Sequence, residues 1–227
     1  MIDIHSHILP GIDDGSKSMR SSVEMALIAY EDGIDKMIAT PHMRKDLTLE
    51  EIKEKVELFQ SVLDSKEIDL KIYSGAEIPF ELLMNDPEPV TLAGSEFILV
   101  EFPYDYLPDF IEQKFLELLQ SGYKIIIAHP ERNLVFMKNF KLLKNLLMPD
   151  VYLQVTAMSI KGSFGRAIKK FSMKLLNKNM ISFFGSDCHD PYFRIPKMSY
   201  LLELSKKEKI KARIEKILNV NPVQIVS

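Results

Sequence analysis

Short apolar runs alternate with longer amphipathic ones along the whole chain. Seven runs are brief, and several are rich in β-branched or aromatic residues, as fully buried parallel strands should be. They are Ile2–His5, Lys36–Ala39, Leu70–Ser74, Phe97–Phe102, Lys124–Ala128, Val151–Val155 and Ile181–Phe184. Between them, apolar residues recur at helical spacing. Ser21–Asp32 carries Val23, Leu27 and Ile28 and runs into Gly33, a C-cap signal. Leu49–Leu63 repeats the pattern through Ile52, Val56, Phe59 and Val62, and Phe110–Leu119 stops before Gly122. Lys138–Leu147, Phe164–Leu176, Met198–Leu204 and Lys206–Leu218 complete the helical set. Strand–helix alternation of this kind predicts an α/β fold with a parallel sheet. Seven strands in this length suit a closed barrel better than an open sheet, although the alternation alone is compatible with both.

Composition narrows the picture modestly. A chain of 227 residues can bury a sizeable core, and no Ser/Gly linker, low-complexity stretch or fixed-period repeat divides it, so one domain over residues 1–227 is expected. The formal charge is −3, and no basic stretch stands out as a phosphate-tracking surface, which disfavours a nucleic-acid partner. Lys206 to Lys216 is interleaved with glutamate and aliphatic residues and reads as a solvated helix face. The N-terminus lacks the basic and apolar regions of a signal peptide, and no run of about 18 apolar residues offers a membrane span. A single cysteine, Cys188, excludes an internal disulfide and fits a reducing compartment, so a cytoplasmic location is the default expectation.

The polar residues that resist a bland explanation all follow predicted strands. His5 and His7 end the first, His42 follows the second, and Glu77 follows the third. Glu101 and His129 close the next two, and Asp187 and His189 follow the last. In a parallel barrel those strand ends meet on one face, where active sites form. A lone histidine after a strand is usually a capping or surface residue. All five histidines of the chain obey the same placement, however, and none falls on a helix face. Imidazoles mixed with carboxylates, without a Cys-x-x-Cys pair, exclude a structural zinc finger and suit manganese, iron, zinc or cobalt. Eight candidate ligands exceed one ion's needs; two or three divalent ions with a bridging carboxylate use them sensibly, and the ligand types do not choose among the four metals. A multi-metal site generates hydroxide at neutral pH and clamps both oxygens of an in-line displacement. Arg132, in His129-Pro130-Glu131-Arg132, and Arg194, five residues past His189, should reach the same face and grip a phosphate.

One motif points elsewhere. Cys188 to Arg194 fits C-x5-R, the signature of cysteine-dependent tyrosine phosphatases. That chemistry needs consecutive backbone N–H groups around the phosphate. Asp190 would repel the dianion and Pro191 has no N–H, so the thiol mechanism is rejected and Cys188 is expected to pack behind Asp187 and His189.

The motifs His5-Ser6-His7, Thr40-Pro41-His42, Gly75-Ala76-Glu77, His129-Pro130-Glu131-Arg132 and Gly185-Ser186-Asp187-Cys188-His189 resemble, in order, those of the polymerase and histidinol phosphatase (PHP) superfamily. Within it, the stretch from His5 to Ser16, with its Asp13-Asp14-Gly15, and the closing Asn221-Pro222-Val223-Gln224-Ile225 resemble the metal-dependent tyrosine phosphatases of bacterial capsule and exopolysaccharide operons. The resemblance implies a distorted (β/α)7 TIM-like barrel and up to three metals. His5, His7, Glu77 and Asp187 would hold one ion, a bridging Glu77 with Glu101 and His129 a second, and Asp14, His42 and His189 a third. Asp14 enters through the resemblance alone, because Asp-Asp-Gly otherwise reads as a turn; Asp13 is expected to be a turn or supporting residue. The implied activity is phosphotyrosine-protein phosphatase. Its substrate would be the phosphorylated tyrosine-rich tail of a tyrosine autokinase that controls surface polysaccharide export. His42 is the candidate proton donor, and Tyr104, Tyr106, Tyr192 and Phe193 are candidate rim residues. The alternatives are a small-molecule phosphomonoesterase such as histidinol phosphatase, a nuclease, and a metal-binding regulator without turnover. The missing basic stretch disfavours the nuclease, and the full ligand set disfavours the regulator.

Overall fold

The structure is a computed structural model that describes residues 1–84, 88–204 and 208–226. Eight strands form: β1 (Ile2–Ser6), β2 (Lys36–Ala39), β3 (Lys71–Ser74), β4 (Glu77–Pro79), β5 (Phe97–Glu101), β6 (Lys124–Ile127), β7 (Val151–Thr156) and β8 (Phe183–Gly185). All pairings between them are parallel. They make a three-stranded sheet, β1-β2-β3, and a five-stranded one, β4-β5-β6-β7-β8. Two isolated parallel bridges join the sheets, Ser6 with Cys188 beyond β8 and His42 beyond β2 with Glu77.

The seven expected strands are all present, with ends shifted by one or two residues. The eighth, β4, was not foreseen and follows the third after two residues, Gly75 and Ala76. Gly75 lies so close to its neighbours that a Cβ there would sit 2.9 Å from Ile38 Cγ2 and from Leu92 Cδ2. The chain bends there, leaves β2 and resumes pairing against β5. Glu77 is therefore the first residue of β4, rather than simply a residue trailing a strand. Alternate strand residues serve two apolar layers. Ile125 and Ile127 face one, and Ile126 and Ala128 the other, with Ile4, Phe97 and Phe183. Both faces are thus covered, which is why the strands read as continuous apolar runs.

The helices are α1 (Met19–Glu31), α2 (Leu49–Ser65), α3 (Phe80–Leu83), α4 (Ile111–Gln120), α5 (Leu134–Lys138), α6 (Phe140–Leu146), α7 (Ala157–Lys161), α8 (Arg166–Asn177), α9 (Glu208–Asn219) and α10 (Val223–Val226). Thr48 and Glu51 form a reciprocal capping box that starts α2. Several expectations need correction. The buried face of α1 is Ser22, Met25, Ala26 and Ala29, while Leu27 is 41% exposed. Met25 and the small side chains beside it face the core, and Val23 packs only partly against it. The helix expected over Lys138–Leu147 is broken at Asn139 (φ −128°, ψ 82°), and Asn133 caps the first piece through Phe136 N–H. Met198–Leu204 forms only a 3₁₀ turn over Ser199–Glu203. For the final helix, Lys206 and Lys207 lie outside the described residues, and α9 begins at Glu208. The closing segment is tied in place by Asn221, whose side-chain amide donates to the Ser182 carbonyl at 2.7 Å. Among the described residues no helix is long and apolar enough to cross a membrane.

Phe59, fully buried on α2, anchors that helix to the core. Phe59→Ala should lower unfolding free energy by about 3–5 kcal/mol. Thr48→Ala, which removes only the cap, should cost about 1 kcal/mol. Urea unfolding of the two variants side by side checks the ordering.

Candidate metal centre

The strand order brings all nine predicted ligands to one edge of the sheets. Glu77 is fully buried at their centre. Its Oε2 lies 3.3 Å from both His5 Nε2 and His7 Nε2 and 3.0 Å from His42 Nδ1, and its Oε1 lies 2.7 Å from His129 Nε2. On one side, Asp187 Oδ1 lies 3.7 Å from His5 Nε2 and 3.5 Å from His7 Nε2. On another, Glu101 closes β5 with Oε2 3.5 Å from His42 Nδ1 and Oε1 3.8 Å from His129 Nε2. Asp14, largely exposed, places Oδ1 3.3 Å from His189 Nε2 and 3.5 Å from His42 Nε2.

Hydrogen bonds outside this ring fix which nitrogens face inward. His7 Nδ1 meets Asp13 Oδ2 at 2.7 Å, His5 Nδ1 meets Gln154 Oε1 at 3.0 Å, and His189 Nδ1 meets the Asp187 carbonyl at 3.2 Å. Those oxygens only accept, so each Nδ1 carries the hydrogen and each Nε2 turns a lone pair inward. The lone pairs converge on carboxylate oxygens, and His5 Nε2 stands 3.2 Å from His7 Nε2. Acceptors facing acceptors in a buried space are the donor set of a cation site. Glu77 Oε2 and His189 Nε2 accordingly have no hydrogen-bond partner. Four overlapping groups each bring three or four ligand atoms within 4.8 Å of one another: His7, Asp14, His42 and His189; His5, His7 and Asp187; His5, Glu77 and His129; and His42, Glu77 and Glu101. Imidazole and carboxylate in this mixture fit divalent transition metals.

The electrostatics follow from burial among imidazoles. Burial alone would raise the Glu77 pKa, but the surrounding histidines, His5 and His129 foremost, hold it well below the carboxylate range. Burial likewise opposes the Asp187 carboxylate, and Arg132, His5 and Arg194 overturn it. Glu101 is raised by burial and by Glu77 beside it. Burial, His7 and Arg194 depress His189 to about 3. Burial also disfavours the His42 imidazolium, but Glu77 outweighs it and the His42 pKa is raised.

Both predicted arginines reach the cluster. Arg132 and Arg194 each ion-pair with Asp187, Arg194 at 2.6 Å through Oδ1 and Arg132 through Oδ2. Each keeps a buried Nε–H without a partner. Arg132 is further held by the Thr156 hydroxyl at 3.1 Å and stacks on Phe164 at 4.4 Å. Cys188 is fully buried, and burial pushes its thiol pKa far up, the opposite of a nucleophilic cysteine.

Sequence reasoning missed several supporting residues. Asp3, inside β1, accepts from Ser186 N–H at 2.9 Å and His5 N–H at 3.2 Å, which ties the loop carrying Asp187 to β1; burial raises its carboxyl to about 6. Gln154, inside β7, accepts from both His5 Nδ1 and His129 N–H. Their signal was a polar residue within an otherwise apolar strand. Asp13, expected as a turn or supporting residue, is both: it also accepts from Gly15 N–H and from His42 N–H. A Cβ on Gly15 would stand 2.4 Å from His7 Cβ, and one on Gly185 2.6 Å from His5 Cβ, so only glycine lets these histidines seat. His129 (φ 28°) and Asp187 (φ 52°) are held in the left-handed region, so two of the site's own residues carry backbone strain.

A parallel α/β fold whose strand ends gather buried imidazoles, carboxylates and two guanidiniums defines a metal-dependent hydrolase. The model of the family described as capsular polysaccharide synthesis, CpsB/CapC, matches residues 1–227, and the chain belongs to that family. It is 38% identical over 197 residues to the tyrosine-protein phosphatase YwqE of Bacillus subtilis, covering 84% of this chain and 78% of the relative. It is 29% identical to the tyrosine-protein phosphatase CpsB of Streptococcus pneumoniae, covering 100% of this chain and 98% of the relative. A solved structure from work on YwqE and CpsB, described as unique metal-dependent tyrosine phosphatases, superposes with a TM-score of 0.85 at 34% identity over 96% of this chain and 94% of the other. The phosphotriesterase homology protein of Escherichia coli, at 10% identity and a TM-score of 0.56, shares the fold alone.

Asp13→Ala should weaken metal retention about 10–100-fold, because His7 loses the group that fixes its tautomer. Cys188→Ala should leave it unaltered. Competition with a graded chelator reads both.

Proposed function

We propose that the chain is a metal-dependent phosphotyrosine-protein phosphatase. The observation that carries this reading is the Glu77-centred ligand cluster with two guanidiniums at its edge, in a chain of this family. His5, His7, Glu77 and Asp187 would hold one ion, Glu77, Glu101 and His129 a second, and Asp14, His42 and His189 a third. His7 is close enough to join the last group, and His42 to join the second. Bound divalent ions supply Lewis acidity, lowering the pKa of water and neutralising charge on a phosphoryl group. Manganese is our first choice. The protein frame would be a closed, distorted (β/α)7 barrel forming one domain over residues 1–227, with the two inter-sheet bridges as its seams.

The chain's own groups account for the rest of the reaction. Arg132 and Arg194 orient the phosphate through their unused Nε–H donors and stabilise charge on its oxygens as the bond to the leaving group breaks. A tyrosine leaving group has a pKa near 10, so a strong general acid is not essential. His42, half-buried, is the donor if one is used and if it is not fully committed as a ligand. A cavity of about 170 Å³ opens beside Glu101, His129 and Arg132 and is lined by Phe102, Tyr104 and Phe136. Aromatic walls next to the arginine favour a phosphorylated phenol over an aliphatic phosphate. Tyr104, Tyr106, Tyr192 and Phe193 are all exposed, as a rim for a protein substrate requires. The substrate would be the phosphorylated tyrosine-rich tail of a tyrosine autokinase, met in the cytoplasm, and its dephosphorylation would regulate capsular or exopolysaccharide synthesis.

With metal replete, a phosphotyrosine peptide should turn over faster than a phosphoserine peptide or histidinol phosphate. Histidinol phosphate turning over tenfold faster would move the protein to small-molecule phosphate hydrolysis. Arg132→Ala and Arg194→Ala should each lower kcat/KM by about 2–4 kcal/mol in transition-state terms, with lysine rescuing only in part.

A further inference from the structure

The net charge of −3 conceals an uneven distribution. Residues 133–186 hold nine of the 29 basic side chains but only one of the 32 acidic ones, Asp150. The basic residues are Lys138, Lys141, Lys144, Lys161, Arg166, Lys169, Lys170, Lys174 and Lys178, and every one is exposed. Among the described residues none of the nine forms an ion pair. The sequence reading that no basic stretch stands out therefore needs revision, because the basic residues are spread over four helices, α5 to α8, and no short run of them is dense.

On α8, Arg166, Lys170 and Lys174 follow one another at intervals of four, and Lys178 continues the row just past the helix, so they form a single stripe. The apolar face of α8, with Phe171, Leu175 and Leu176, is buried in the fold. Phe140, at the start of α6, packs edge-on against Phe171, and Lys174 Nζ lies 3.9 Å from the centroid of the Phe140 ring. That contact joins the α8 stripe to Lys141 and Lys144 on α6. The other end of α8 adjoins the site: Phe164, two residues before Arg166, carries the Arg132 guanidinium on its ring. A row of cations thus leads away from the phosphate-gripping arginine for the length of α8, roughly 18 Å for twelve residues.

We propose that this band is a docking surface for the acidic flank of the phosphotyrosine substrate, a peptide bearing further carboxylates or phosphotyrosines near the reacting one. The inference rests on the phosphatase reading above and adds what the substrate must carry besides its scissile phosphate. An extended peptide rises about 3.3 Å per residue, so five or six residues beside the phosphotyrosine would run along the stripe. Exposed cations attract a polyanion over a Debye length without large contact area, so the effect belongs in KM and in salt dependence rather than in kcat. An anionic membrane is the less favoured partner, since an interfacial helix offers an apolar face to lipid and α8 has buried its own.

The test uses metal-replete protein and three substrates: p-nitrophenyl phosphate, a phosphotyrosine peptide flanked by Asp and Glu, and the same peptide flanked by Ser and Gly. The variants are Arg166→Glu/Lys170→Glu/Lys178→Glu on α8 and, separately, Lys141→Glu/Lys144→Glu on α6, each checked for unchanged Tm. For the wild type, KM for the acidic peptide should lie below that for the neutral one and rise with salt. The α8 variant should raise it on the order of tenfold, with kcat and p-nitrophenyl phosphate hydrolysis unchanged. The α6 variant should shift it in the same direction by less. Equal KM values for the two peptides in wild type and variant would overturn the proposal. So would loss of binding to phosphatidylserine vesicles with peptide kinetics intact, which would assign the band to a membrane. No hydrolysis of any of the three substrates by the wild type would instead refute the phosphatase reading itself.

Discussion

Everything at this site is arranged around a carboxylate that could not otherwise be where it is. Glu77 is buried without solvent, and an isolated buried carboxylate would take up a proton rather than stay charged. Four imidazoles surround it instead, from the ends of β1, β2 and β6, and either protons on those rings or a cation held among their lone pairs keeps its charge. The neighbouring groups keep those imidazoles in order. Asp13 and Gln154 turn the lone pairs of His7 and His5 inward, Asp3 ties the Asp187 loop to β1, and Gly15 and Gly185 leave room for the rings. The fold serves this constraint directly, since parallel strands deliver their ends to one edge.

The arginines add a second layer of the same logic. Both ion-pair with Asp187, so the residue expected to share an ion with His5 and His7 also anchors the groups expected to hold phosphate. If those proposed roles hold, metal affinity and phosphate binding are coupled through one carboxylate. Arg132 also links the site outward through Phe164 to the basic face of α8, so the ligand cluster, the two guanidiniums and the surface cations are physically continuous.

Much of this was legible in the sequence because ligands at strand ends leave a pattern: an apolar run followed at once by histidine or a carboxylate. All nine predicted ligands gather, and the strands were placed to within two residues. Asp14 was not reachable that way, since in Asp-Asp-Gly a ligand and a turn residue look alike. What failed was information that exists only in three dimensions. Nothing local distinguishes the buried face of α1 from its more exposed aliphatic one, and the three-residue strand β4 is too short to leave a pattern of its own. Gln154 and Asp3 were visible as polar residues in apolar strands, but their partners lie far away in the chain. The basic band was missed because its lysines are separated along the sequence and share a surface only after folding.

The most direct test of the account counts ions and turnover together, in the wild type and in Glu77→Gln. Elemental analysis of gently purified wild-type protein should find two or three transition-metal ions per chain, and Glu77→Gln, with the central carboxylate charge removed, should lose at least one ion and nearly all hydrolysis of a phosphotyrosine peptide. Wild-type protein that remains fully active after exhaustive chelation, with no bound metal, would contradict the account at its centre.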